Sequence, residues 1–363
     1  GPKGLGKLYR VRYTDRERPQ PVIAWAAGPQ EVHVAFDRPL QPEQLAHLAE
    51  QTKIEYGLHA RAGDRFESLR PGYAVVQHQL STPRYELSVL GAALASDGQT
   101  VILSTGFHPE AATYAVTLPG MGRPDPPAMP DGELPQHAEI DLHYDLNGLA
   151  AEWKSKAGTA DWSGWLPHPD LTVSRHFTEK SAPHAALWKL MGEAGTLTLQ
   201  TQVNLYDMLR PAVQLGSGID YTWPDETVTL VLSSPDALDA NSSAAVGKTS
   251  KTTASRHQVE LTFQPQADDY PLLDSVLTTA GHPELNVSYY TAEDPRLRPL
   301  MLDRMLLPWI RPKEQGARTF VRTLHPALEG GSWARGRKIF PSEQALCFKC
   351  HKAHNHGGDV GPH

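Results

Sequence analysis

Cysteine is almost absent from this chain. Only Cys347 and Cys350 occur in 363 residues, and they sit three positions apart near the carboxyl end. No disulfide framework can therefore staple the fold together, and the thiol chemistry is confined to one place. No stretch of 18 apolar residues occurs, so these residues hold no helical membrane span. No sustained basic block occurs either, and the net charge is −7, which argues against a nucleic-acid-binding platform. No signal-peptide pattern opens the chain. Proline and glycine, by contrast, are plentiful, at 31 and 29. With frequent Thr and Val runs they predict many turns and short strands. A hydrophobic content of 40% suits globular modules rather than disorder. The length accommodates about two to three domains.

Period-two alternation dominates the middle of the chain. Residues 1–18 contain Lys7-Leu8-Tyr9-Arg10-Val11-Arg12-Tyr13, which suits one strand with a single buried face. Residues 19–120 carry strand patterns at 22–25, 31–36, 100–104 and 114–118. A helical turn is expected within 41–48, and Asp97-Gly98 and Ala62-Gly63-Asp64 are turn signals. This spacing predicts a β-sandwich. Residues 121–135 hold the Pro-rich Pro124-Asp125-Pro126-Pro127 and read as an extended linker. Residues 136–310 alternate again at 140–146, 196–203, 227–232, 257–263 and 285–290, a second all-β sandwich of jelly-roll or Ig-like type. Residues 240–254, rich in Ser, Thr, Ala and Lys, read as a mobile loop. Residues 311–331 form a connector, and a last block spans 332–363.

Several residues of the second sandwich invite a functional reading. Trp153, Trp162 and Trp165 precede Pro167-His168-Pro169-Asp170. Such aromatics can form a carbohydrate-binding platform, or simply fill a sandwich core or corner. His168, His176 and His184 recur every eight residues, which matches no metal-ligand grammar and favours satisfied or solvent-facing imidazoles. Asp141, Asp145, Asp161 and Asp170 offer carboxylates for glycoside chemistry, but sequence alone supplies no separation between them.

The sharpest signal is Cys347-Phe348-Lys349-Cys350-His351, a C-x-x-C-H attachment pattern for c-type haem. Two thiols at this spacing can form thioethers to the two vinyl groups on one porphyrin edge, and the adjacent imidazole can ligate the iron. Zinc held by Cys347, Cys350, His354 and His356 is the rival reading, although His354 and His356 follow the second cysteine so closely that tetrahedral closure is awkward. A redox or disulfide pair is a third, but no βαβ unit accompanies it. Upstream, Ser332 is an N-cap for a short helix ending in Ile339 and Phe340.

Gly336-x-x-Ile339-Phe340 before the motif and Gly361-Pro362 after it resemble the start of a class I cytochrome c domain. The resemblance implies thioethers at Cys347 and Cys350, His351 as the proximal iron ligand, Phe340 packed near the haem, and the Pro362 carbonyl orienting His351. The chain ends twelve residues past His351, and its six methionines all precede the motif. The expectation is thus a truncated α-helical cytochrome domain with no distal ligand, in an internal piece of a longer protein.

Val34-Ala35-Phe36-Asp37-Arg38-Pro39-Leu40 and Tyr114-Ala115-Val116-Thr117-Leu118-Pro119-Gly120 resemble bacterial Ig-like domains. Residues 1–18 resemble the closing strand of a sugar-dehydrogenase-type β-propeller. The whole order resembles large secreted haem proteins of planctomycete-type bacteria. That resemblance implies an electron-transfer module bearing haem c (iron), tethered by mainly-β tandem sandwiches. It also implies a periplasmic or extracellular location, and an upstream dehydrogenase domain or redox partner protein as electron donor or acceptor. No catalytic residues are implied within this chain. A carbohydrate-binding or adhesion module is the alternative.

Overall fold

The computed structural model describes residues 19–45, 47–57, 84–118, 140–158, 160–208, 226–310, 339–340, 342–343, 345–353 and 356–357. The expectations for residues 1–18, for Ala62-Gly63-Asp64 and for the 121–135 linker fall outside these residues, as does the 311–331 connector.

Two β-sandwiches follow one another. The first contains β1 (Pro21–Gly28), β2 (Glu31–Phe36), a 3-10 turn at Pro42–Leu45, α1 (Leu48–Gln51), β3 (Lys53–Gly57), β4 (Tyr85–Leu87), β5 (Val89–Leu94), β6 (Thr100–Thr105), β7 (Thr113–Leu118) and β8 (Ile140–Tyr144). Its sheets run β1-β2-β6-β5 and β4-β3-β7-β8, with antiparallel pairing throughout. Alternation places Val32, Val34 and Phe36 of β2 and Val101 and Leu103 of β6 on an inner face. Ile54 of β3 and Tyr114, Val116 and Leu118 of β7 meet them from the other sheet. Asp97 closes the turn into β6, accepting hydrogen bonds from Gln99 N and Thr100 N, both at 2.8 Å. Gly98 follows it at φ 67°, a left-handed conformation that costs glycine least. The turn signal and the short helical segment expected within 41–48 both appear.

β8 completes the first sandwich, although its alternation reads as the opening of the second block. Tyr144 pairs with Tyr114, and Ile140 with Leu118. Period two announces a strand but carries no information on its partner.

The second sandwich contains β9 (Leu149–Ser155), β10 (Asp161–Leu166), α2 (Leu171–Thr178), α3 (Ala182–Leu190), β11 (Gly195–Val203), β12 (Val228–Ser234), β13 (Ala237–Asn241), β14 (Gly247–Thr252), β15 (His257–Phe263), β16 (Leu272–Thr279), β17 (Asn286–Thr291), β18 (Arg298–Pro299) and β19 (Met305–Leu306). One sheet runs β10-β9-β11-β16-β13, with β19 also on β11, and the other β14-β15-β12-β17-β18. Leu197, Leu199 and Leu277 from the first face Leu230, Leu232 and Leu261 from the second in one core.

Two features depart from the sequence reading. Residues 240–254 are a loop only in part: 242–246 and 253–254 lie outside strands, but Ala240 and Asn241 end β13, and β14 pairs with β15, from Gly247↔Thr262 to Thr252↔His257. It is an edge strand with nearly every residue exposed, so it lacks the apolar alternation that marks a strand. Its lysines suit an edge that must discourage further pairing. The helices α2 and α3 lie in a stretch with no helical reading. Asp170 caps α2 by accepting from Thr172 N at 3.0 Å and Val173 N at 3.3 Å, and α3 opens with a proline in its first turn.

The segment after β19 ties the two sandwiches together. Leu306, Leu307 and Ile310 belong to the first core. Gln202 Nε2, from β11, donates to the carbonyls of Leu307 (3.3 Å), Pro308 (3.0 Å) and Ile310 (2.6 Å).

In the last block Ile339 is helical, Cys347–Lys349 is a 3-10 turn, and β20 (Lys352–Ala353) pairs with β21 (His356–Gly357). Among the described residues no α-helical cytochrome domain is formed. Most of the expected 332–340 helix lies outside them. Among them, too, no helix is long and apolar enough to cross a membrane.

Candidate functional site

Backbone hydrogen bonds draw the C-x-x-C-H stretch into one tight turn. Cys350 N donates to Cys347 O at 3.3 Å, and His351 N donates to the same carbonyl at 2.9 Å. Phe348 N donates to Phe340 O at 3.3 Å, which ties the motif to the end of the preceding segment. Ser342 supports that segment: its hydroxyl donates to Ile339 O at 2.7 Å, and its carbonyl accepts from Leu346 N at 3.0 Å. Leu346, at φ 53°, takes the left-handed conformation that turns the chain into Cys347, at a cost of about 1 kcal/mol for a non-glycine residue.

Both cysteines are exposed and free, and His351 is exposed beside them. Phe340 is half-buried. Pro362 and His354 lie outside the described residues, as does the side chain of His356. Among the described residues no three His, Cys, Asp or Glu side chains gather where an ion could sit. Zinc needs such a convergence of its ligands. Haem attachment does not, because the sulfurs bond porphyrin carbons and only the imidazole reaches iron. The described part of the motif presents two exposed thiols one turn apart with an adjoining imidazole, the donor set that C-x-x-C-H haem attachment would use; the further ligands of the zinc reading lie outside the described residues.

The second sandwich uses its tryptophans differently from an exposed binding platform. Trp153 is fully buried. Trp162 packs on the same core and donates its indole N–H to Pro183 O at 3.0 Å. Trp165 packs on the first core and donates to Asn147 O at 2.9 Å. Of the aspartates, Asp141 accepts from Thr117 Oγ1 at 2.7 Å and Asp170 caps α2, so both have structural work.

The histidines are satisfied or exposed, as their spacing suggests. His168 is buried, with Nδ1 accepting from Asp170 N at 2.9 Å and Nε2 facing Leu300 O at 3.0 Å. His176 is exposed. His184 is buried between the sandwiches, with Ser181 Oγ at 2.8 Å from Nδ1 and Trp165 O at 2.8 Å from Nε2. Its ring meets Trp25 of the first sandwich edge-on at 4.9 Å, and Trp25 stacks on Trp165 at 5.9 Å. The role of Trp25 in this junction was not legible, because its partners lie some 140 to 160 positions away.

Burial holds the His184 pKa down to about 4, with nearby His33 adding to the effect and the Trp165 carbonyl opposing it. Between pH 6.5 and about 4 the unfolded chain thus takes up a proton that the folded chain refuses. Stability falls as pH falls through that window. The expected loss from this residue is on the order of 3 kcal/mol. Urea unfolding of wild type and His184→Gln at pH 7 and pH 4.5 reads it out: the variant should show the shallower pH dependence, and equal slopes would contradict the assignment.

No family model matches the chain, and no curated protein matches it. Solved structures of distant likeness exist. The A domain of epithelial adhesin 6 from Candida glabrata, solved with Galb1-3GlcNAc, is 13% identical over 47% of this chain and 89% of its own, with a TM-score of 0.29. The surface layer protein SbsC, domains 1–6, is 11% identical over 78% of this chain and 25% of its own, at 0.23. An anti-sigma factor domain-containing protein is 11% identical over 79% and 92%, at 0.30. At these scores no function passes from them to this chain.

Proposed function

We propose that this chain is the haem-bearing, electron-transferring part of a secreted oxidoreductase. The observation that carries the reading is the C-x-x-C-H turn, whose two free, exposed sulfurs flank one 3-10 turn with His351 next to them. Cys347 and Cys350 would hold the porphyrin through thioethers, and His351 would ligate its iron. Haem, when bound, supplies one-electron chemistry. The chain's own contribution is to fix the attachment geometry: the Cys347 carbonyl anchors the amides of Cys350 and His351, and the Phe340 carbonyl anchors that of Phe348. Phe340 would pack near the group and Pro362 would orient His351, as in the cytochromes that the motif resembles.

Covalent haem attachment of this type takes place outside the cytoplasm, so the reading carries a periplasmic or extracellular location with it. The tandem sandwiches would act as spacers that tether the haem near an upstream dehydrogenase domain or a separate redox partner, as in the planctomycete-type secreted proteins. Production in a bacterial host that exports and matures c-type haem tests the reading. The expected product keeps its Soret absorption through acid–acetone extraction, because thioethers survive that treatment. A colourless, iron-free product would end it.

A further inference from the structure

A shallow, open groove of about 450 Å³ lies between α2 and α3, lined by Arg175, Glu179, Lys180, Ala185, Trp188 and Lys189. The three cations are exposed, and among the described residues none of them makes an ion pair. Against them stands a single carboxylate, Glu179. A local excess of positive charge on a chain of net charge −7 favours an anion at this spot over the rest of the surface.

Trp188 gives the groove a fixed apolar wall. It is half-buried, and its indole N–H donates to Thr178 Oγ1 at 3.1 Å. Thr178 is itself fully buried and donates to Ser174 O at 2.7 Å. The indole is thus held in one orientation by a chain of hydrogen bonds rather than left to rotate. An aromatic face suits the C–H face of a sugar ring, as it suits other flat or weakly polar groups. Glu179 accepts hydrogen bonds from hydroxyls, which a sugar ring presents beside its carboxylate and which offset the repulsion that a bare phosphate would meet in full.

We infer that the α2–α3 cleft binds an acidic saccharide, with Arg175, Lys180 and Lys189 meeting a sugar carboxylate, Trp188 meeting the ring and Glu179 meeting its hydroxyls. This inference is independent of the haem reading, and it locates carbohydrate recognition away from Trp162 and Trp165.

Titration of the full chain with digalacturonate, followed by the indole N–H resonances in a ¹H–¹⁵N spectrum, tests it. The Trp188 resonance is identified by its disappearance in Trp188→Phe. Digalacturonate should shift that resonance saturably, and the neutral digalactoside should leave it in place. The surface double variant Arg175→Gln, Lys189→Gln should weaken binding by roughly tenfold or more, with the remaining spectrum unchanged. Binding should also weaken as salt is raised. No shift with digalacturonate, an equal response to inorganic phosphate, or undiminished affinity in the double variant would each overturn the inference.

Discussion

If the proposed haem is held through thioethers, the double variant Cys347→Ser, Cys350→Ser, matured in the same exporting host, is expected to release any haem it carries into acid–acetone. Serine keeps the size and exposure of each residue but cannot form a thioether, so the covalent link is lost while the turn survives. Cys347 and Cys350 are the only thiols in the chain, which leaves no substitute sulfur. The companion His351→Ala variant should behave oppositely: its haem stays attached through extraction, but the absorption and reduction potential change because the proximal ligand is gone. The pair of variants separates attachment from ligation. If the cysteine double variant retained haem through extraction, the thioether assignment would be wrong. If His351→Ala left the spectrum untouched, a different residue would hold the iron.

Trp153→Ala should be the most damaging single change in the second sandwich, costing about 3–5 kcal/mol. Trp153 is fully buried in β9, paired across the strands with Trp162 of β10 and Leu197 of β11. Its ring occupies the space over Gly195, where an added Cβ would stand 2.4 Å from Trp153 Cζ2 and 2.6 Å from the Lys154 carbonyl oxygen. Alanine at 153 therefore opens a large hole beside a residue that has no side chain to fill it, and two core strands lose a shared contact. Trp153→Phe should cost clearly less. It refills most of the volume, and it also removes an indole N–H that is buried without a hydrogen-bond partner. Chemical denaturation of the second sandwich measures both. Equal losses for the two variants would mean that cavity volume is not what Trp153 supplies.

Much of the fold was legible because two-sheet packing writes itself into the chain as alternation. The strands at 31–36, 196–203 and 257–263 were announced by inward residues at every second position, and those residues are the ones that meet in the two cores. The signal fails where a strand has no inward face: β14 is exposed along nearly its whole length and looked like a loop. It also fails for α2 and α3, which are too short for a helical period to stand out. The capping carboxylate of Asp170 and the proline at the start of α3 were the cues present. For the candidate site, the closeness of Cys347, Cys350 and His351 was readable from spacing, since five consecutive residues need no tertiary contact to lie together; the haem chemistry proposed for them rests on the motif. The cleft residues Arg175, Lys180, Trp188 and Lys189 were not, since they gather only when two helices pack.

What the amino-acid order determined by itself is local: alternation that makes strands, turn chemistry at Asp97 and Gly98, and two sulfurs and an imidazole brought within one turn. What the tertiary structure decided is how those pieces join. It gave β8 to the first sandwich, set Trp25 against Trp165 and His184 across the junction, and sent Leu306, Leu307 and Ile310 into the first core. The physical reason is range. Hydrogen-bonding turns and pleats act between near neighbours in the chain, whereas burial of apolar surface is indifferent to sequence distance and selects its partners only once the sheets have met.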